Sequence, residues 1–115
     1  MSTPTTGMWT YRDTILAQRD LTGYKVEASD GSIGKIDEAS IDLGSAYIIV
    51  DTGPWILGKK VMIPAGALRE IDPNTETVFV DRTKDEIKNA PEYDEDRFAD
   101  QGYRDQLGRY YSDRM

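Results

Sequence analysis

The side chains able to do chemistry in this sequence are carboxylates, lysines, hydroxyls and phenols, because histidine and cysteine are both absent. No imidazole base, thiolate nucleophile or cysteine-built zinc site is therefore possible. A metal would need an all-oxygen shell of the kind magnesium and calcium accept. The acidic groupings do not assemble into such a site. Asp37 and Glu38 are neighbours on a strand, where successive side chains point to opposite faces. Asp72-Pro73-Asn74-Thr75-Glu76 lacks the spacing and closing bidentate glutamate of a calcium loop. It has the composition of a type I turn. Asp94-Glu95-Asp96 could bind a cation weakly, but it better suits the first turn of the tail helix, where negative charge complements the dipole. No nucleophile–base pair and no glycine-rich phosphate loop stands out. These residues point to a protein that is not an enzyme and needs no cofactor or metal.

Two apolar groupings are better placed for recognition. The first is the loop from Gly53 to Gly58, with Trp55, Ile56 and Leu57 between two turn signals. An apolar loop tip is a docking patch, or else it folds over one end of the fold and plugs it. The second lies near the C-terminus. Phe98, Tyr103, Leu107, Tyr110 and Tyr111 line up with Ala99 in a helical stripe. That stripe either docks on a neighbouring chain or packs on its own domain, together with Trp9 and Tyr11. These eight residues, Trp55 to Leu57 and Phe98 to Tyr111 as named, are the candidate partner-binding set.

The elements that position them fit one domain of 115 residues, 38% hydrophobic and 30% charged. That composition supports a modest core. With no cysteine there are no disulfides, so packing alone must hold it. The 14 basic and 21 acidic residues leave a net charge of −7. Nucleic-acid affinity is supplied largely by Lys and Arg, so direct binding to DNA or RNA is not expected. No apolar run approaches the roughly 18 residues needed to span a bilayer, and Met1 to Gly7 lacks a secretory pattern, so a cytoplasmic location is expected.

Three zones follow along the chain: a leader over 1–20, a compact domain over 21–92 and an acidic, tyrosine-rich tail over 93–115. The middle zone reads as six short strands. Tyr24 to Ala28 ends at Ser29-Asp30-Gly31, a strong hairpin signal. Ile33 to Leu43 follows as a longer strand, with Ile36 out of phase, which predicts a bulge near Asp37-Glu38. Ala46 to Val50 is apolar on both faces, as a central strand would be. Lys60 to Ile63 forms another strand, stopped by Pro64. Ala65 to Leu68 can make one helical turn. Arg69 to Ile71 and Thr77 to Val80 form a hairpin around Asp72 to Thr75. Thr83 and Glu86 make a capping box for a helix over Lys84 to Asn89, before Pro91. A second helix is predicted within Asp96 to Tyr111, where Gly102 and Gly108 each cost about 1 kcal/mol relative to alanine. Such a helix needs a surface to lie on. Strands at this spacing argue for a closed all-β barrel.

Four phrases in order resemble the PRC-barrel family, named for the photosynthetic reaction-centre H subunit. Leu21-Thr22-Gly23-Tyr24-Lys25-Val26 and Ser29-Asp30-Gly31-Ser32-Ile33-Gly34-Lys35-Ile36 are similar to its first two strands. Val61-Met62-Ile63-Pro64-Ala65 resembles its fourth strand, and Thr83 to Pro91 its closing phrase. The match covers about residues 20 to 92. Tyr110-Tyr111 after an acidic stretch is similar to tails of bacterial members. The resemblance implies an all-β fold: a small six-stranded PRC-type barrel with a short C-terminal helix and a helical or loose tail. It also implies work by docking onto other proteins, as in archaeal members that act as adaptors in cell division. Neither the H subunit's membrane helix nor the ribosome maturation factor's RNA-facing companion domain has a counterpart here, so those specific roles do not carry over.

The functional expectation is a non-catalytic adaptor or scaffold that binds another protein, itself (a homo-oligomer), or both. Its alternatives are a small-ligand-binding barrel in stress response or metabolism, and a ribosome-assembly accessory acting through protein contacts.

Overall fold

The computed structural model describes residues 9, 20–40, 46–53, 60–91, 93 and 101–113. Six strands make one mixed sheet: β1 (Lys25–Ala28), β2 (Gly31–Ala39), β3 (Tyr47–Asp51), β4 (Lys60–Pro64), β5 (Leu68–Asp72) and β6 (Thr77–Val80). A single 3-10 turn, Ala65–Ala67, joins β4 to β5. Two helices follow among the described residues, α1 (Lys84–Lys88) and α2 (Gln101–Asp113). The strand order is β4-β3-β2-β1-β6-β5, with β1 and β6 parallel and every other pair antiparallel. Among the described residues β4 and β5 do not pair with each other. The closed barrel expected from the sequence is therefore observed as a six-stranded mixed sheet with a C-terminal helix.

Local chemistry accounts for these elements. Ala28 pairs with Gly31, leaving Ser29-Asp30 as a two-residue hairpin loop. The expected bulge is present in β2: Ile36 faces Val50 and Glu38 faces Ile49, so Asp37 is the extra residue. The bulge also turns Asp37 and Glu38 both to solvent, instead of to opposite faces. A second bulge sits earlier, where Val26 faces Gly34 and Glu27 faces Ser32, leaving Ile33 over. It lets Ile33 and Ile36, three residues apart, both be buried. Gly34 makes this turn of the chain possible. Its φ is 148°, and a Cβ there would stand 2.1 Å from the Asp51 carbonyl oxygen. Neither condition admits a side chain.

At the far hairpin the Asp72 carboxylate accepts from the backbone N–H groups of Asn74 at 3.0 Å and Thr75 at 3.4 Å. This is the self-bonded turn its sequence suggests. The capping box of α1 forms on both arms. Thr83 Oγ1 accepts from Glu86 N at 3.2 Å, and Glu86 Oε1 accepts from Thr83 N at 3.1 Å. A further cap comes from the β1–β2 loop, where Asp30 Oδ1 accepts from Lys84 N at 2.8 Å. It satisfies an N-terminal donor that the helix cannot.

The core is aliphatic, with Val26, Ile48, Val50, Ile63, Leu68 and Val78 at its centre. The leader contributes Trp9, which is buried and whose carbonyl accepts from Ala46 N at 2.9 Å. Among the described residues, no helix is long and apolar enough to cross a membrane.

Candidate functional site

Among the described residues, the most specific constellation is the seat of α2. It starts from a property of β3 and β4. Ile48 and Val50 pair with Ile63 and Val61 on one face, while Tyr47 and Ile49 pair with Pro64 and Met62 on the other. Ile48, Ile49, Val50, Met62 and Ile63 are all buried, so both faces need cover. One face is covered by the sheet's own core. α2 packs against β4, and its Arg104 lies over Tyr47, which puts the helix on the Tyr47–Ile49–Met62 side.

The face that α2 turns inward is Tyr103, Leu107, Gly108 and Tyr111. Leu107 and Tyr111 have no exposed surface. Burying such a leucine stabilises by about 1.5–3 kcal/mol. The seat thus supplies what a 13-residue, two-glycine helix lacks by itself.

Polar contacts fix the helix at both ends. Near its start, the Arg104 guanidinium stands 5.2 Å from the Trp9 ring centre and 5.0 Å from that of Tyr47. A cation between two aromatic faces is attracted by both. At its other end Arg82 Nη2 donates to the Tyr111 carbonyl oxygen at 2.7 Å. The last carbonyls of a helix have no partner within it, and its C-terminus carries partial negative charge. Arg82 answers both. Its side chain is only 3% exposed and also donates to the Asp81 carbonyl. It stacks over the Tyr111 ring at 5.8 Å as well. In return, the Tyr110 hydroxyl donates to the Glu86 carbonyl oxygen of α1 at 2.6 Å. Each helix C-terminus is capped by a side chain from the other's neighbourhood.

Burial raises the Tyr111 hydroxyl above the ordinary phenol range, with nearby Tyr110 adding to the shift and Arg82 opposing it. Among the described residues, the Tyr111 hydroxyl, Arg82 Nε and the Ser112 hydroxyl are buried with no hydrogen-bond partner.

The candidate recognition residues divide as follows. Trp55, Ile56, Leu57 and Phe98 lie outside the described residues, as do Ala99 and Tyr11. Tyr103, Leu107 and Tyr111 are in the core of their own chain, and Tyr110 is half-buried against α1. In this state the stripe is thus an intramolecular contact and not an open docking face, because the second apolar face of β3 and β4 has to be covered. Trp9 joins the same cluster, as one of the two expectations for the stripe had it. Sequence reasoning did not find Arg82 or Arg104. Arg104 follows directly on Tyr103, and that adjacency to the stripe was its signal. Arg82 had none, standing alone between a strand and a capping box.

Among the described residues the arrangement is an amphipathic helix seated on an apolar face of the sheet. The sequence matches no protein-family model and no curated protein.

Proposed function

We propose that this chain is a non-catalytic protein-binding adaptor or scaffold module built on a PRC-type six-stranded barrel. The observation that carries the reading is the seat just described. Strands β3 and β4 present an apolar face that takes an aromatic-striped helix, with Arg82 set to receive the helix C-terminus. A surface that reads a helix by its stripe and its orientation is the equipment of a protein-binding domain. The four family-like phrases add support, since they run in family order through the strands and α1. On this reading the loop with Trp55, Ile56 and Leu57 is a second contact region.

The test is crosslinked affinity purification from the native host. Full-length chain is compared with Trp55→Ala and with a truncation after Glu92. One protein enriched by the full chain and lost with either variant is the expected result. Recovery of nothing by all three baits would overturn the adaptor reading.

A further inference from the structure

Residues from near the two ends of the chain meet at one cation. Arg104, near the start of α2, stands 5.2 Å from the ring centre of Trp9 and 5.0 Å from that of Tyr47. Trp9 is 5% exposed, and its backbone is tied to the sheet. Its carbonyl accepts from Ala46 N at 2.9 Å, and the Ala46 carbonyl accepts from Ala65 N at 3.1 Å. Ala46 therefore holds the leader with one backbone group and the turn after β4 with the other. Tyr47 is the next residue along. The Trp9 ring is thus fixed to the part of the sheet on which α2 lies, and Arg104 joins ring to helix. A guanidinium attracted by two rings is held less firmly when either is lost, and the attraction strengthens where water is excluded. Trp9 helps to exclude it, as a member of the core cluster that also holds Tyr103, Leu107 and Tyr111. Such a coupling is reciprocal: whatever the leader adds to the hold on the helix, the helix adds to the hold on the leader.

We propose that the leader is a latch on the tail helix. Trp9, acting through Arg104, keeps α2 on its seat, and displacement of Trp9 loosens α2 while the six-stranded sheet persists. The sheet has its own support, since its ladders run between strands and involve neither Trp9 nor Arg104. The latch makes access to the Tyr47–Ile49–Met62 side of the sheet depend on the N-terminal segment. It is a property of the single chain, and it stands or falls apart from the protein-binding reading.

Amide hydrogen exchange in full-length variants, read separately over α2 and over β2 and β3, tests this. Trp9→Leu keeps an apolar side chain and removes the ring, while Arg104→Met keeps the stem and removes the charge. Each is expected to speed exchange in α2 by about two- to thirtyfold, the factor a contact of this type supplies. In the double variant the acceleration should fall about twofold or more short of the product of the two, because both changes break one contact. Arg109→Met, the same change on the exposed side of α2, is expected to leave exchange as it was. Single effects that multiply in the double variant overturn the latch. So does an acceleration as large in β2 and β3 as in α2, which would make Trp9 a support of the sheet alone. A reverse measurement leaves Trp9 in place, for the case in which the Trp9→Leu chain does not fold. The chain has two tryptophans, so Trp55→Phe makes Trp9 the sole fluorophore of its kind. In that background Arg104→Met is expected to open Trp9 to quenching by acrylamide. Equal quenching with and without Arg104 overturns the coupling.

Discussion

Replacing Gly34 by alanine measures how firmly the second bulge is built into the sheet. The added Cβ would lie 2.1 Å from the Asp51 carbonyl oxygen, 2.9 Å from the carbonyl carbon and 3.0 Å from Thr52 Cα. All three are backbone atoms of the β3 end, so no side chain can swing aside. Forcing extra volume into a packed site costs about 1–3 kcal/mol. The φ of 148° adds strain of about 1–3 kcal/mol for a residue with a Cβ. Against this, restricting the unfolded chain returns about 0.4–1 kcal/mol. The net loss is about 1–6 kcal/mol, a large part of the 5–15 kcal/mol typical of a whole domain. Urea unfolding followed by tryptophan fluorescence reads it as a lower midpoint with the slope unchanged. Gly23→Ala is the internal control: φ is 87°, but nothing lies within 4 Å, so only the strain remains. A Gly34→Ala chain as stable as the parent, or no less stable than Gly23→Ala, would refute the collision.

Tyr111→Phe removes a buried hydroxyl that has no partner among the described residues, so stability at neutral pH should stay level or rise by about 1 kcal/mol in thermal or urea unfolding. The same variant tests the alkaline limb. The folded chain holds the Tyr111 proton above the ordinary phenol range, so it binds more protons than the unfolded chain there. Stability is then complete below about pH 10 and falls above it by up to about 1.4 kcal/mol per pH unit, and Tyr111→Phe should flatten that fall. Arg82→Met leaves the Tyr111 carbonyl without its donor, and should cost about 1–3 kcal/mol while selectively speeding amide exchange in α2. Thr83→Ala removes the cap of α1 and should lower stability by about 1 kcal/mol in urea titration.

Much of the fold was legible in residue types because its signals are local. Asp30-Gly31, Asp72 to Thr75 and the Thr83–Glu86 pair each declare a turn or cap within four positions, and each is found there. The two-faced apolar run of β3 was legible too, but its reason was not. Its second face is buried by a helix more than fifty positions further on, and no periodicity within the strand encodes what covers it. The bulge at Ile33 escaped notice because Gly34, although it suits strand geometry, does not by itself say where the register shifts. Its requirement appears only when the Asp51 carbonyl is seen beside it. For the candidate site, the stripe of Tyr103, Leu107 and Tyr111 was visible at helical spacing, and its two destinations were not distinguishable by pattern. Spacing reports that a face is apolar, whereas burial depends on a long-range partner. Arg82 was illegible for the same reason. Its partner is a backbone carbonyl, which carries no mark in the sequence.

The parallel ladder between β1 and β6 also governs how the chain reaches this state. Val26 lies beside Val78, so the first strand stays half-paired until the last has been made. The hairpins β1–β2, β2–β3 and β3–β4 can close early, since each joins neighbours in sequence. The β1–β6 pairing must first overcome the closure entropy of nearly the whole sheet, and contacts of that range are formed slowly. On the ribosome, a nascent chain that has emerged only as far as β4 holds one edge of β1 open, and it completes its sheet only after Val80 clears the exit tunnel.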